Sequence, residues 1–151
     1  MTQGPVYRHE LKYRINLPDW ALLRCRLPAV VHRDPHAGED GEYTIRSLYF
    51  DDYWNTAYED KEVGVLTRHK YRIRIYNCED SLIRLERENK YGAYIWKQSA
   101  PLTRRETEWI LNGEYAFMLH SPHSLLQEFY YECISRIMRP RVVVDYEREP
   151  Y

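Results

Sequence analysis

Apolar and polar residues alternate along most of this chain, and the alternation breaks into helical spacing in three places. Residues 7–15 (YRHELKYRI) alternate at period two and predict a strand. From Leu17-Pro18-Asp19 to about Val31 the spacing turns helical, with Trp20, Leu22, Leu23 and Leu27 apolar and Pro18 tolerated in the first turn. The composition of 32–42 is that of a loop. Strands are predicted over 43–50, 68–77 and 82–90, with a shorter one near 93–97. A helix from Thr103 to Leu111 has Thr103 as N-cap and Glu106 at the capping-box offset, and Asn112-Gly113 ends it. Ser121-Pro122 opens another to about Met138, carrying Leu125, Leu126, Phe129, Cys133, Ile134 and Ile137, and Arg139-Pro140 is expected to stop it. RVVVDYERE is a final strand. No later element is there to cover its edge, which predicts an incomplete sheet because an exposed β-branched edge is normally paired or protected.

Three strands concentrate charge on one face. Arg8, Glu10 and Lys12 share a face in the first. Arg68, Lys70, Arg72 and Arg74 share one in the third, opposite Tyr71, Ile73 and Ile75; Arg84, Glu86, Glu88 and Lys90 do so in the fourth, opposite Ile83 and Leu85. These faces hold eight basic and three acidic side chains, although Lys+Arg 22 against Asp+Glu 23 leaves the whole chain at −1. A half-buried antiparallel sheet with a solvated polar face would explain any one strand. The four-long Arg/Lys ladder is harder to explain so, because like charges repel across a strand pair. An anion lying across it would relieve that repulsion, since Arg forks grip phosphate oxygens and Lys adds point charge. The interleaved carboxylates could hold a divalent cation that bridges phosphates. Residue chemistry alone therefore points to an oligophosphate or nucleotide site on a curved sheet or barrel.

The near-neutral total argues against a nucleic-acid binder held by bulk charge, so no nucleic-acid partner is expected. An RNA-binding sheet would carry aromatics on its basic face, and the ladder of the third strand offers only Tyr76 there. No apolar run approaches the ~18 residues of a transmembrane helix, and the N-terminus lacks the apolar core of a signal peptide. Cys25, Cys78 and Cys133 form no C-x-x-C pair and read as free thiols of a reducing, cytoplasmic compartment. Fifteen tyrosines among the aromatics suit a wet polar cavity as well as a core margin. His32, His36 and Asp34 read as solvated loop residues, His120 and His123 as capping or surface groups, and most of Trp20, Trp54, Trp96 and Trp109 as core or core rim. No Ser or Cys has a spacing that suggests a catalytic His partner.

Several segments together resemble a known family. They are Arg8-His9-Glu10-Leu11-Lys12-Tyr13, the Tyr43–Asp51 string YTIRSLYFD, the Lys70–Tyr76 string KYRIRIY, Leu85-Glu86 with Lys90, the Lys97–Leu102 string KQSAPL, and the Arg139–Arg148 string RPRVVVDYER. In order and over nearly the whole chain, they resemble the VTC (vacuolar transporter chaperone) domain, the polyphosphate polymerase branch of the triphosphate tunnel metalloenzymes. The S-L-Y-F-D and K-x-R-x-R-x-Y segments are the most specific.

The resemblance implies an α+β fold: an antiparallel β-barrel whose lumen is a basic tunnel, expected to be open here, with two or three flanking helices. It implies ATP as phosphate donor, polyphosphate or triphosphate as partner ligand, and Mn²⁺ or Mg²⁺ as cofactor. Carried over by position, Lys12, Arg72, Arg74, Lys90 and Arg148 would be the catalytic phosphate-gripping set, with Arg8, Lys70 and Lys97 as further ligand-binding bases. Glu10 and Glu86 would hold the metal or orient a base, or else form salt bridges to neighbouring Lys or Arg. Glu88 departs from the pattern, standing where related bacterial sequences tend to carry a base. The family domain continues beyond the Y-x-R strand to a metal-binding Glu and a last catalytic Lys, so a shortened, weakly active or inactive chain is expected, or one whose open edge another copy or a partner covers. A hydrolase and a non-catalytic polyphosphate or nucleotide sensor are the alternatives.

Overall fold

The computed structural model describes residues 6–35, 37, 38 and 41–151; His36 lies outside the described residues. One antiparallel sheet organises the chain. Its strands are β1 (Arg8–His9), β2 (Tyr43–Asp51), β3 (Thr67–Tyr76), β4 (Glu79–Tyr91), β5 (Tyr94–Leu102) and β6 (Arg139–Arg148). They lie in the order β1-β5-β4-β3-β2-β6, so the sheet is not closed and β1 and β6 are its margins among the described residues. Four α-helices flank it: α1 (Leu17–Arg26), α2 (Thr56–Val63), α3 (Arg104–Asn112) and α4 (Ser124–Ser135).

The β3–β4 hairpin is the frame of the molecule. Its two-residue turn, Asn77-Cys78, takes positive φ at both positions (52° and 57°), the twist that matches a hairpin. The register then sets Lys70 opposite Glu88, Arg72 opposite Glu86 and Arg74 opposite Arg84. The other face of the same strands is apolar. There Tyr71, Ile73 and Leu85 join Phe50, Ile110, Met118, Leu126 and Phe129 in a core closed by α3 and α4. Period-two alternation thus sorts β3 into a helix-covered face and a charged face.

Several expectations needed correction. Only Arg8 and His9 of the predicted 7–15 strand pair with another strand, opposite Ile95 and Tyr94; residues 10–16 carry on without ladder partners and stay exposed. The first helix ends at Arg26 and tightens into a 3₁₀ turn over Leu27–Ala29, because Pro28 cannot continue an α-helical ladder. The last helix ends at Ser135, three residues early, and Ile137 turns the chain with φ 57°. Pro140 therefore lies inside β6, opposite Phe50 at a register shift, where a missing N–H is tolerated. Helix α2 escaped the periodicity, and it makes four flanking helices where two or three were expected. Trp20 and Trp54 are exposed rather than at the core rim, and Trp96 and Trp109 are partly buried.

Candidate functional site

The uncovered face of the sheet forms a trough, and its floor is a buried charge network. Arg72 Nε donates to Glu86 Oε2 at 2.8 Å, and Arg72 Nη1 donates to the Tyr49 hydroxyl at 3.0 Å. Arg72 Nη2 lies 2.7 Å from the same Glu86 oxygen yet without the alignment of a hydrogen bond, so it is buried short of a proper acceptor. Arg74 sits 3.6 Å from Glu86 and reaches the Ser47 and Tyr146 hydroxyls at 3.4 Å. One row further along, Glu88 draws in Lys70 at 3.0 Å, Lys97 at 3.6 Å and Arg72 at 3.7 Å. Arg72, Arg74 and Glu86 are all buried, at 5%, 7% and 8% exposure. Two carboxylates thus hold four cations, and the floor keeps a positive surplus.

The protonation states follow from this packing. Burial works against charge on Arg72, but the adjacent Glu86 carboxylate and the Tyr49 hydroxyl outweigh it and hold the guanidinium charged well beyond its ordinary range. For Glu88, burial favours the neutral acid, while Lys70, Arg72 and Lys97 together pull its pKa below the ordinary carboxylate value. Lys70 and Arg72 also stand over the Tyr49 ring, at 5.5 Å and 5.8 Å from its centroid.

Around this floor stand cations with no carboxylate partner among the described residues. Arg8, Lys90 and Arg148 form no ion pair; Arg68 donates to the Val65 carbonyl at 2.6 Å, and Arg84 reaches only the Ser99 hydroxyl. Arg148 shares a cavity of about 880 Å³ with Arg8, Glu10 and Lys97, so the sheet curls far enough for its two margins to face one space. A second cavity of about 310 Å³ takes in Lys12, Lys70, Lys90 and, from α2, Lys61. A third, of about 630 Å³, lies at the hairpin end beside Tyr43, Tyr76 and Arg84.

The structure therefore gathers most of the residues singled out from the sequence. Lys70, Arg72, Arg74 and Lys97 meet at the floor, and Arg8, Lys12, Lys90 and Arg148 line its cavities. The two carboxylates expected to hold metal are not brought together. Glu86 is engaged by two guanidiniums and borders the hairpin-end cavity, whereas Glu10 is exposed, pairs with Lys12 at 3.5 Å and lines the other two cavities. No group of three His, Cys, Asp or Glu side chains suited to a metal forms among the described residues. This donor set does not fit a protein-made cage for a divalent cation.

Four trough residues were missed in the sequence. Ser47, Tyr49 and Tyr146 were open to detection, because alternation in YTIRSLYF and VVVDYER puts them on the trough face. Lys61 was not, because α2 carries no apolar period to reveal it. That helix is set by Asp51 and Asp52. Asp51 accepts from the backbone N–H groups of Ala57 and Tyr58, and Asp52 from those of Trp54 and Thr56. Hydrogen bonds to Thr56 and Trp54 and the nearby Arg136 charge lower the Asp52 pKa in spite of burial.

The remaining candidates stay outside the trough. Cys25 and Cys78 are exposed free thiols, and burial pushes the Cys133 thiol up to about 12. His123 is the N-cap residue of α4 without a side-chain capping bond.

Comparison with known proteins adds three findings. A family model for the VTC domain matches residues 7–151. No curated protein matches the chain. Among solved structures, a Bacillus halodurans protein titled a "putative adenylate cyclase" superposes with a TM-score of 0.58 at 15% identity. The match covers 96% of this chain and 65% of that one, so the chain spans about two thirds of the neighbour's length. At that identity the likeness speaks for the fold, which is of the triphosphate-tunnel type with its sheet open.

Proposed function

The chain belongs to the VTC domain family, and from that premise we propose that its trough binds the triphosphate of ATP and a polyphosphate chain and transfers the terminal phosphoryl group between them. The observation that carries this reading is the excess of cation on the trough face. Among the described residues Lys70, Arg72, Arg74 and Lys97 share Glu86 and Glu88, while Arg8, Lys90 and Arg148 around them form no ion pair. Such a surface is stable against its own repulsion when an oligophosphate lies along it.

In the proposed step a terminal oxygen of the polyphosphate chain attacks the γ-phosphorus of ATP. The new P–O bond forms as the bond from the γ-phosphorus to the β,γ-bridging oxygen breaks. ADP leaves with that electron pair, and the chain is one phosphate longer. Little covalent chemistry falls to the protein in such a transfer, which rests on alignment and charge stabilisation. Arg72 and Arg74, fixed by Glu86, Tyr49 and Ser47, would present donors that need no reorganisation to the charge shared among the phosphoryl oxygens. Lys12, Lys90 and Arg148 would hold the chain on either side, with Arg8, Lys70 and Lys97 as supporting bases. Mn²⁺ or Mg²⁺ enters only as counter-ion of the nucleotide, since Glu10 and Glu86 do not converge on one point. Exposed free thiols suit a cytoplasmic setting, and no described helix is long and apolar enough to cross a membrane.

Phosphorus NMR of the protein with ATP, Mn²⁺ and a short polyphosphate primer tests the reading. Growth of internal-phosphate signal with matching ADP supports the transferase. Orthophosphate release alone would convert it to a hydrolase with water as acceptor, and saturable binding without turnover would make the trough a sensor.

A further inference from the structure

Glu88 holds three cations around one carboxylate in the middle of the trough. The register sets it on β4 directly opposite Lys70 on β3 and Lys97 on β5, so the three side chains form one row across the sheet. Its Oε1 lies 3.0 Å from Lys70 Nζ, and its Oε2 lies 3.6 Å from Lys97 Nζ and 3.7 Å from Arg72 Nη2. Both oxygens are engaged, and the side chain keeps 14% exposure where those of Lys70 and Lys97 keep 38% and 41%. The same residue lines the cavity of about 310 Å³ that takes in Lys12 and Lys90, so the carboxylate stands in the wall of the space open to a ligand.

Two ammonium groups and a guanidinium around one anion make a donor set that suits a phosphate group equally well. Resting on the oligophosphate reading above, we propose that Glu88 is an internal counter-ion occupying a phosphate subsite made by Lys70, Arg72 and Lys97, which an incoming phosphate takes over by displacing the carboxylate. The parts of the row suit that exchange. Arg72 is buried and held by Glu86 and Tyr49, so it stays in place. Lys70 and Lys97 carry partly exposed ammonium groups on flexible four-carbon stems, which can follow the new anion. Among the described residues neither lysine has another ion-pair partner, so Glu88 keeps the unliganded row stable and lowers the affinity of whatever displaces it. The same surroundings tell against a metal role for this carboxylate. A divalent cation on Glu88 would stand among three positive side chains, and no group of three His, Cys, Asp or Glu forms there or elsewhere among the described residues. Mg²⁺ then acts on the free oligophosphate, neutralising charge that the lysines would otherwise engage, and so competes with the trough.

The test titrates tripolyphosphate by calorimetry into wild type, Glu88→Gln and Glu88→Lys, once with EDTA and once with millimolar Mg²⁺, with a melting curve for each protein. With EDTA the affinity should rise a few fold from wild type to Glu88→Gln and again to Glu88→Lys. Glu88→Lys sets three like charges in one row, so it should melt below wild type when unliganded yet gain more in Tm from tripolyphosphate. Wild type should bind with EDTA present and several fold more weakly with Mg²⁺, a readout that needs no variant. An affinity unchanged or lowered in folded Glu88→Gln overturns the proposal and leaves the oligophosphate reading standing, as does wild-type binding that requires Mg²⁺. A wild type that binds tripolyphosphate under neither condition removes both.

Discussion

The trough floor and the N-terminal segment carry the same kind of sequence, basic and acidic residues alternating at period two, yet they became different structures. On β3 and β4 the alternation is locked into a ladder running from Thr67–Tyr91 to Tyr76–Glu79, and Arg72 and Glu86 are buried against each other. In the N-terminal segment only Arg8 and His9 pair, and Glu10 and Lys12 meet each other at 3.5 Å in the open. Alternation determines which side chains share a face; a neighbouring strand on each side determines whether that face is fixed. The consequence is functional. Cations on the floor are paired and held in the sheet, so their role is to present donors in place, whereas Arg8 and Arg148 on the margins have no ion pair among the described residues and supply net attraction.

This contrast can be broken most severely at its centre. Arg72→Ala leaves Glu86 buried with only Arg74 for company, and a cost of about 3–5 kcal/mol is expected. Thermal unfolding followed by circular dichroism should show a Tm lower by on the order of 10 °C. A Tm within a degree or two of wild type would mean that the floor is hydrated rather than buried.

For two cations without an ion pair among the described residues, Arg148 on the β6 margin and Lys90 on β4, the pattern reverses. Arg148→Ala and Lys90→Ala should leave the Tm nearly unchanged, yet each should weaken tripolyphosphate by about tenfold, the value of one charge-assisted contact. Calorimetric titration beside a melting curve checks both halves, and a destabilised but still tight-binding Arg148→Ala would abolish the distinction between floor and margin.

Glu88→Gln sharpens the contrast from the other side. It removes a carboxylate that now occupies Lys70 and Lys97, so tripolyphosphate affinity should rise by a few fold even as the fold loses a little stability. The same carboxylate gives a pH signature. Its pKa is lowered in the folded chain, so its contribution is complete above the unfolded value of 4.5 and is lost as pH falls through the folded value. The acid limb of a stability–pH curve should therefore flatten in Glu88→Gln.

The smallest effect belongs to the covered face. Burial, reinforced by Arg87, lowers the pKa of His69, so below the unfolded value of 6.5 the unfolded chain takes up the proton more readily. Stability should fall modestly as pH drops from 7.5 to 5.5, and His69→Gln should remove that slope. A slope unchanged in the variant would assign it to other groups.

Much of this arrangement was legible in the chain. The face shared by Lys70, Arg72 and Arg74 followed from strict alternation, and the Thr103–Glu106 capping box formed as the spacing required, each residue's side chain accepting from the other's backbone. Where pairing depends on distant neighbours, alternation could not speak, so the N-terminal strand was drawn too long. Helix α2 was hidden because its sequence TAYEDKEV buries no residue; carboxylates at its N-terminus and Gly64 at its C-cap, not an apolar stripe, define it. Lys61 was hidden with it. The carboxylates expected to hold metal are kept apart for another reason: Glu86 lies directly opposite Arg72 and is engaged by its guanidinium.

The most direct test of the account is titration of tripolyphosphate at several salt concentrations into wild type and Lys90→Ala/Arg148→Ala, each confirmed folded by its melting curve. The account predicts binding to the wild type that weakens with salt, and a double variant that binds at least about tenfold more weakly with a shallower salt dependence and an unchanged Tm. A folded wild type that ignores tripolyphosphate at low salt, or a double variant that binds it equally well, would contradict the claim that the basic face of this sheet is an oligophosphate site.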